Sequence, residues 1–144
     1  PVFIPADMPF EIGKAQRLVE GTDVSVFACG HLVWKALQAA EELAKRGIKA
    51  EVINVHTIKP LDEEAVLASV AKTGCAVTCE EHNRYGGLGE AIAQVLVRNS
   101  PKPQEFVAVN DSFGESGTPD QLLKKYGLDT PDIVKAVEKV MGRK

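Results

Sequence analysis

A three-layer α/β domain built on a mostly parallel sheet is the fold class the sequence predicts. Three observations carry that expectation. Short apolar runs alternate with segments of helical period, the connections between them are short, and glycine, proline and capping residues mark the joins. Alternation of this kind puts helices on both faces of a sheet whose crossovers are right-handed. A chain of 144 residues has the size of one domain and is long enough to bury about two thirds of its unfolded surface.

The elements follow in chain order. Pro1-Val2-Phe3-Ile4-Pro5 and Pro9 form a proline-rich lead without helical or strand period, so residues 1–14 read as a linker and residues 15–144 as the domain. Ala15 to Glu20 supplies a short edge strand, closed by Gly21-Thr22-Asp23. Val24-Ser25-Val26-Phe27-Ala28 is a near-continuous apolar strand of the kind buried on both faces, ended by Cys29-Gly30. From His31 to Arg46 the residues Leu32, Val33, Ala36, Leu37, Ala40, Leu43 and Ala44 recur at helical spacing. Lys45 and Arg46 suit the negative end of that helix, and Gly47 closes it.

Ile48 to Val55 is the next strand. In the turn Lys59-Pro60-Leu61-Asp62 the aspartate caps a helix running to about Lys72, with Glu63 and Glu64 in its first turn. A strand from Cys75 to Glu80 follows, then a helix whose inner face is Leu88, Ala91, Ile92, Val95 and Leu96. Pro101-Lys102-Pro103 separates it from a last strand, Glu105 to Val109. Thr118-Pro119-Asp120-Gln121 combines an N-cap, a proline at the first helical position and a capping-box glutamine. Thr130-Pro131 repeats the cap and proline before the terminal helix.

Composition narrows the function classes. Hydrophobic residues at 44%, charged residues at 26% and a net charge of −3 lack the basic excess of a nucleic-acid binder, so nucleic acid is not an expected partner. Apolar stretches fall far short of the roughly 18 residues of a membrane span, and the N-terminus lacks a charged region followed by an apolar core. The expectation is a cytoplasmic protein without a membrane partner. Cys29, Cys75 and Cys79 are an odd set in apolar surroundings, which argues against a disulfide framework. Cys75, Cys79 and His82 are close in sequence, but the two cysteines would lie about 13 Å apart along a strand and could not share one ion. No metal ligand is expected.

The segment richest in chemistry is Glu80-Glu81-His82-Asn83-Arg84-Tyr85-Gly86-Gly87-Leu88-Gly89, which reads as strand end, functional loop and helix start. Gly86, Gly87 and Gly89 could cradle an anion at the helix N-terminus, with Arg84 adding charge. The spacing fits neither the dinucleotide fingerprint, whose third glycine position holds Ile92, nor the P-loop, and a tight strand-to-helix turn, the favoured reading, explains the glycines alone. His82 has the ordinary pKa of an acid–base group, yet its polar, aromatic-flanked setting favours an interface role. Cys29, Gly30 and His31 lie where a helix N-terminus would stabilise a thiolate, though burial at a strand end is the plainer reading. Gly114-Glu115-Ser116-Gly117-Thr118 lacks the final glycine of a nucleophile elbow, and no strand leads into it. Trp34 faces away from some inner residues of its helix and hints at a contact surface.

The strand leading through Glu80 and His82 into Gly86-Gly87-Leu88-Gly89-Glu90-Ala91 resembles the C-terminal domain of transketolases. A second stretch completes the likeness: Ala108-Val109-Asn110, Ser116-Gly117-Thr118-Pro119-Asp120-Gln121-Leu122-Leu123 and Tyr126-Gly127-Leu128-Asp129. The resemblance runs from about Phe10 to Met141. Deoxyxylulose-phosphate synthases and the beta subunits of 2-oxo acid dehydrogenases share the layout, but their acidic loop usually lacks a histidine where this chain has His82.

The resemblance implies a five-stranded sheet in which the Ala15 strand is an antiparallel edge next to the Ile48 strand, followed by the Val24, Cys75 and Glu105 strands. Winding then reverses between Val24 and Cys75, which brings Cys29-Gly30-His31 and Glu80 to Gly89 to the switch point where open α/β sheets bind ligands. It also implies that thiamine diphosphate and a divalent metal belong to the complete enzyme and are held by other domains, through a Gly-Asp-Gly motif absent here and an activating glutamate. The cofactor would carry two-carbon ketol transfer between sugar phosphates. This chain is then expected to be an excised C-terminal domain or split subunit, inactive alone and without catalytic or cofactor-binding residues. Its expected partners are the cofactor-binding domains and a second copy in a homodimer. The alternatives are a domain of one of the related enzymes, or a stand-alone module binding an anionic metabolite at the switch point.

Overall fold

The computed structural model describes residues 14–56, 61–83, 87–109 and 129–144. Among them are five strands and four helices: β1 (Gln16–Val19), β2 (Val24–Ala28), α1 (Leu32–Lys45), β3 (Ala50–Asn54), α2 (Glu63–Thr73), β4 (Ala76–Asn83), α3 (Leu88–Asn99), β5 (Gln104–Val109) and α4 (Thr130–Met141). The sheet order is β1-β3-β2-β4-β5. Gln16 opposite Asn54 sets β1 antiparallel to β3, whereas Val26 pairs with Val52 on one side and Val77 on the other in parallel ladders. The expected class, strand order and antiparallel edge are thus observed.

Period-2 alternation along the strands divides the interior into two cores. Val24, Val26, Ala28, Val52, Val77 and Cys79 face α1 and α4, where Leu37, Leu43, Ile133 and Val137 close the layer. Phe27, Ile53 and Ala76 face α2 and α3, against Val66, Val70, Ile92 and Leu96. Six buried polar residues, Ser25, Glu51, Ser69, Thr73, Thr78 and Glu80, belong to the α2/α3 side by strand alternation or by membership of α2.

Local signals act mostly as the sequence indicates. The Asp62 carboxylate accepts the Ala65 N–H at 3.2 Å as the α2 cap, and its other oxygen accepts the Ala15 N–H at 2.9 Å, tying the lead of β1 to α2. Gly47 and Gly74 end α1 and α2 at φ of 79° and 83°, in the left-handed region that a side chain strains.

Two boundaries and one helix face differ in ways that matter for the site or the core. β4 continues to Asn83 because Asn83 still pairs with Val109 after a register shift, so Glu81, His82 and Asn83 belong to the strand and not to a loop. The α4 cap is Asp129 instead of Thr130: the Asp132 carboxylate accepts the Asp129 N–H at 3.0 Å, while the Thr130 hydroxyl donates to Gln38 at 2.8 Å. On α1, Ala44 is exposed and Ala39 is buried, because the inner stripe ends at Leu43. The linker reading of the lead, the turn at Lys59-Pro60 and the motifs from Asn110 through Leu128 lie outside the described residues.

Candidate functional site

The winding reverses where β2 and β4 lie side by side, and the rim beyond their carboxyl ends is the candidate site. The Cys29 N–H donates to the Cys79 carbonyl at 3.3 Å, and the Val55 N–H donates to the Ala28 carbonyl at 2.9 Å. These bonds stitch together the exits of β2, β3 and β4. Gly30 turns the chain at a φ of 64°, its carbonyl accepts the Val33 N–H, and His31 stands exposed at the start of α1. His56, immediately beyond β3, shares this rim. Sequence reasoning passed over it; the signal was a histidine ending an apolar strand on the same edge.

The expected site residues divide. Glu80 closes the buried part of β4, with 1% of its surface exposed. Its carboxylate accepts the N–H of Leu88 at 2.8 Å and of Gly89 at 2.6 Å. The residue at the α3 N-cap, Gly87, offers no side chain, so Glu80 caps the helix from the neighbouring strand. Two charge-assisted bonds to the first amides of a helix satisfy donors that the helix itself leaves open. Glu81, His82 and Asn83 carry the chain to the end of β4, whereas Arg84, Tyr85 and Gly86 lie outside the described residues.

Gly89 has a packing reason of its own. A Cβ there would lie 2.5 Å from the Phe106 ring and 2.9 Å from the Thr78 hydroxyl, so only glycine lets α3 approach the sheet this closely. The Gln104 amide donates to the Gly89 carbonyl at 2.9 Å and to Thr78 Oγ1 at 3.2 Å, fixing the same contact. An incoming anion would have to displace the Glu80 carboxylate to reach the Leu88 and Gly89 amides.

The cysteines remain thiols. Burial pushes the Cys79 thiol far above its ordinary range, and neighbouring Cys29 and Glu80 push it further. Cys75 is also raised by burial, opposed by Lys144 and assisted by Asp23. Neither is a nucleophile near neutral pH. Cys29 packs half-buried against the α2/α3-side core. Among the described residues no three His, Cys, Asp or Glu side chains converge to hold a metal ion, so this part of the chain offers no donor set for one.

A second polar cluster, which the sequence reading missed, sits toward the opposite ends of β2 and β3. Glu51 is 2% exposed; it accepts the Ser69 hydroxyl at 2.7 Å, the Gly21 N–H at 3.3 Å and the Lys72 ammonium. Ser25 joins through bonds to Ser69 and Thr73. Burial pushes the Glu51 pKa up, but the bonds from Lys72, Ser69 and Gly21 and the Lys72 charge outweigh it and hold the carboxyl below its ordinary range. Two strands and α2 are joined here.

The family model described as "Transketolase, C-terminal domain" matches residues 13–133. The chain is 53% identical over 135 residues to a protein named 6-deoxy-6-sulfo-D-fructose transketolase subunit SqwH, from Clostridium sp. (strain MSTE9), covering 94% of this chain and 42% of that protein. It is 37% identical over 146 residues to 1-deoxy-D-xylulose-5-phosphate synthase 1 of Geobacter sulfurreducens, covering 98% of this chain and 23% of the enzyme. A solved structure titled "Split gene transketolase, inactive beta4 tetramer" superposes with a TM-score of 0.92 at 46% identity, covering 99% of this chain and 46% of that one. The chain therefore spans less than half the length of these relatives.

Proposed function

Because the chain belongs to the transketolase C-terminal domain family, we propose that it is the C-terminal part of a transketolase, or of a split transketolase subunit, that moves two-carbon ketol units between sugar phosphates. In this reading thiamine diphosphate and its divalent metal sit in the cofactor-binding parts of the complete enzyme, where the cofactor supplies the carbanion chemistry. This domain contributes a rigid edge to the assembly and no reacting group. In this proposal the segment between the buried Glu80 and Gly89, with Cys29, Gly30 and His31, faces the partner parts, and copies of the chain meet in a homodimer. The cytoplasm is the proposed setting, supported by three thiols without a disulfide. No described helix is long and apolar enough to cross a membrane.

The family match over residues 13–133 carries this reading, and the Glu80 clamp counts against a stand-alone sensor. A stand-alone anion sensor would need open amides at the α3 N-terminus, and the chain's own carboxylate already occupies two of them. Binding of thiamine diphosphate by calorimetry and ketol transfer from xylulose 5-phosphate test the proposal. The chain alone should show neither, and adding the cofactor-binding parts should give turnover. Clear binding or turnover by the chain alone would overturn it.

A further inference from the structure

The outer face of α3 plays no part in the core or the rim. Leu88, Ile92, Val95 and Leu96 turn inward, leaving Glu90, Ala93, Gln94, Val97 and Arg98 along the outer stripe. Val97, 72% exposed, and Ala93 form a small apolar strip between the two charged residues. Glu90 and Arg98 lie four residues on either side of Gln94, about 12 Å apart along the helix.

That spacing has a symmetry consequence. When two α3 helices cross antiparallel about a two-fold axis at Gln94, position 90 of each stands opposite position 98 of the other. Glu90 then meets Arg98 twice, and Ala93 and Val97 are covered between the two pairs. A uniformly acidic or basic surface would instead set a like charge against one of them. Arg98 pairs with Glu63 at 3.9 Å and donates from Nε to the Gln94 carbonyl at 3.3 Å, exposed contacts that leave guanidinium donors for a second carboxylate.

We propose that the outer face of α3 is a self-complementary contact surface whose occupant is a second copy of this chain. The proposal adds a surface to the homodimer reading above and rests on it for the premise that copies meet. One helix pair covers less than a standard interface, so this contact alone belongs to the weak, concentration-dependent class.

Sedimentation of the purified protein across a concentration series, with circular dichroism to verify folding, tests it. Glu90→Arg and Arg98→Glu, each alone, should weaken self-association at least about tenfold by placing like charges in both pairs. Mixing the two variants should restore association, and so should carrying both changes in one chain. Unchanged association in both single variants, or failure of the mixture to recover it, overturns the assignment of α3. A monomeric parent protein, or association only with the cofactor-binding parts, overturns the second copy as occupant. Ketol transfer is read in a separate assay of the completed enzyme, so failure of this surface and failure of the functional reading are distinguishable.

Discussion

At the scale of single residues, Glu80 decides more than any other described side chain. In the string Glu80-Glu81-His82-Asn83 it looks like the first residue of a functional loop, and the sequence groups it with the contact residues that follow. The overlooked signal was strand alternation: Glu80 shares its side of β4 with Ala76, which packs into the α2/α3 core. Replacing Glu80 with alanine leaves the Leu88 and Gly89 amides without their carboxylate and should cost about 2–4 kcal/mol in urea unfolding. Glu80→Gln should fall between, because its amide presents one acceptor to two donors. Sulfate should recover more stability in Glu80→Ala than in the parent at equal ionic strength, since the vacated helix end attracts anions. Equal gains in both proteins would show that the clamp is not an anion site held by the chain itself.

At the scale of elements, most helices were legible because their signals are local. Asp62 caps α2, and glycines close α1 and α2, just where an aspartate after a turn and a glycine after the last apolar residue indicate. The misses arose from long-range contacts. β4 outruns its apolar run because β5 keeps pairing with it, and α4 takes its cap from Asp129, whose carboxylate also meets Lys35 of α1 at 3.1 Å. The start of α3 joins both kinds of signal: the glycines announce a turn, but the need for Gly89 comes from Phe106, seventeen positions on. Gly89→Ala should destabilise the protein by about 2–3 kcal/mol through overpacking. Combining it with Phe106→Leu should cost less than the sum of the single changes in a double-mutant cycle. Strict additivity would mean that the close approach of α3 to the sheet is unimportant.

For the whole molecule, the alternation of strand and helix disclosed the class, whereas the sheet order came from resemblance, since no local pattern says that β3 lies between β1 and β2. The reading of Val24 to Ala28 as apolar on both faces hid an asymmetry, because Ser25 turns to the α2/α3 side with the other buried polar groups. That side responds to acid. The Glu51 carboxyl is held below its ordinary value of 4.5, so its contribution is complete above that value and lost as pH falls through the lowered one. The stability gap between the parent and Glu51→Gln should therefore be widest near neutrality and close below pH 4.5. A gap constant with pH would dissociate Glu51 from the effect. Among the described residues, those buried in the α1/α4 layer are hydrocarbon or thiol, and their hold depends on the hydration of apolar surface, which weakens on cooling. One sheet thus answers to two different stresses: chilling loosens both layers through their shared apolar term, while the charged and hydroxyl clip beneath α2 yields to protons.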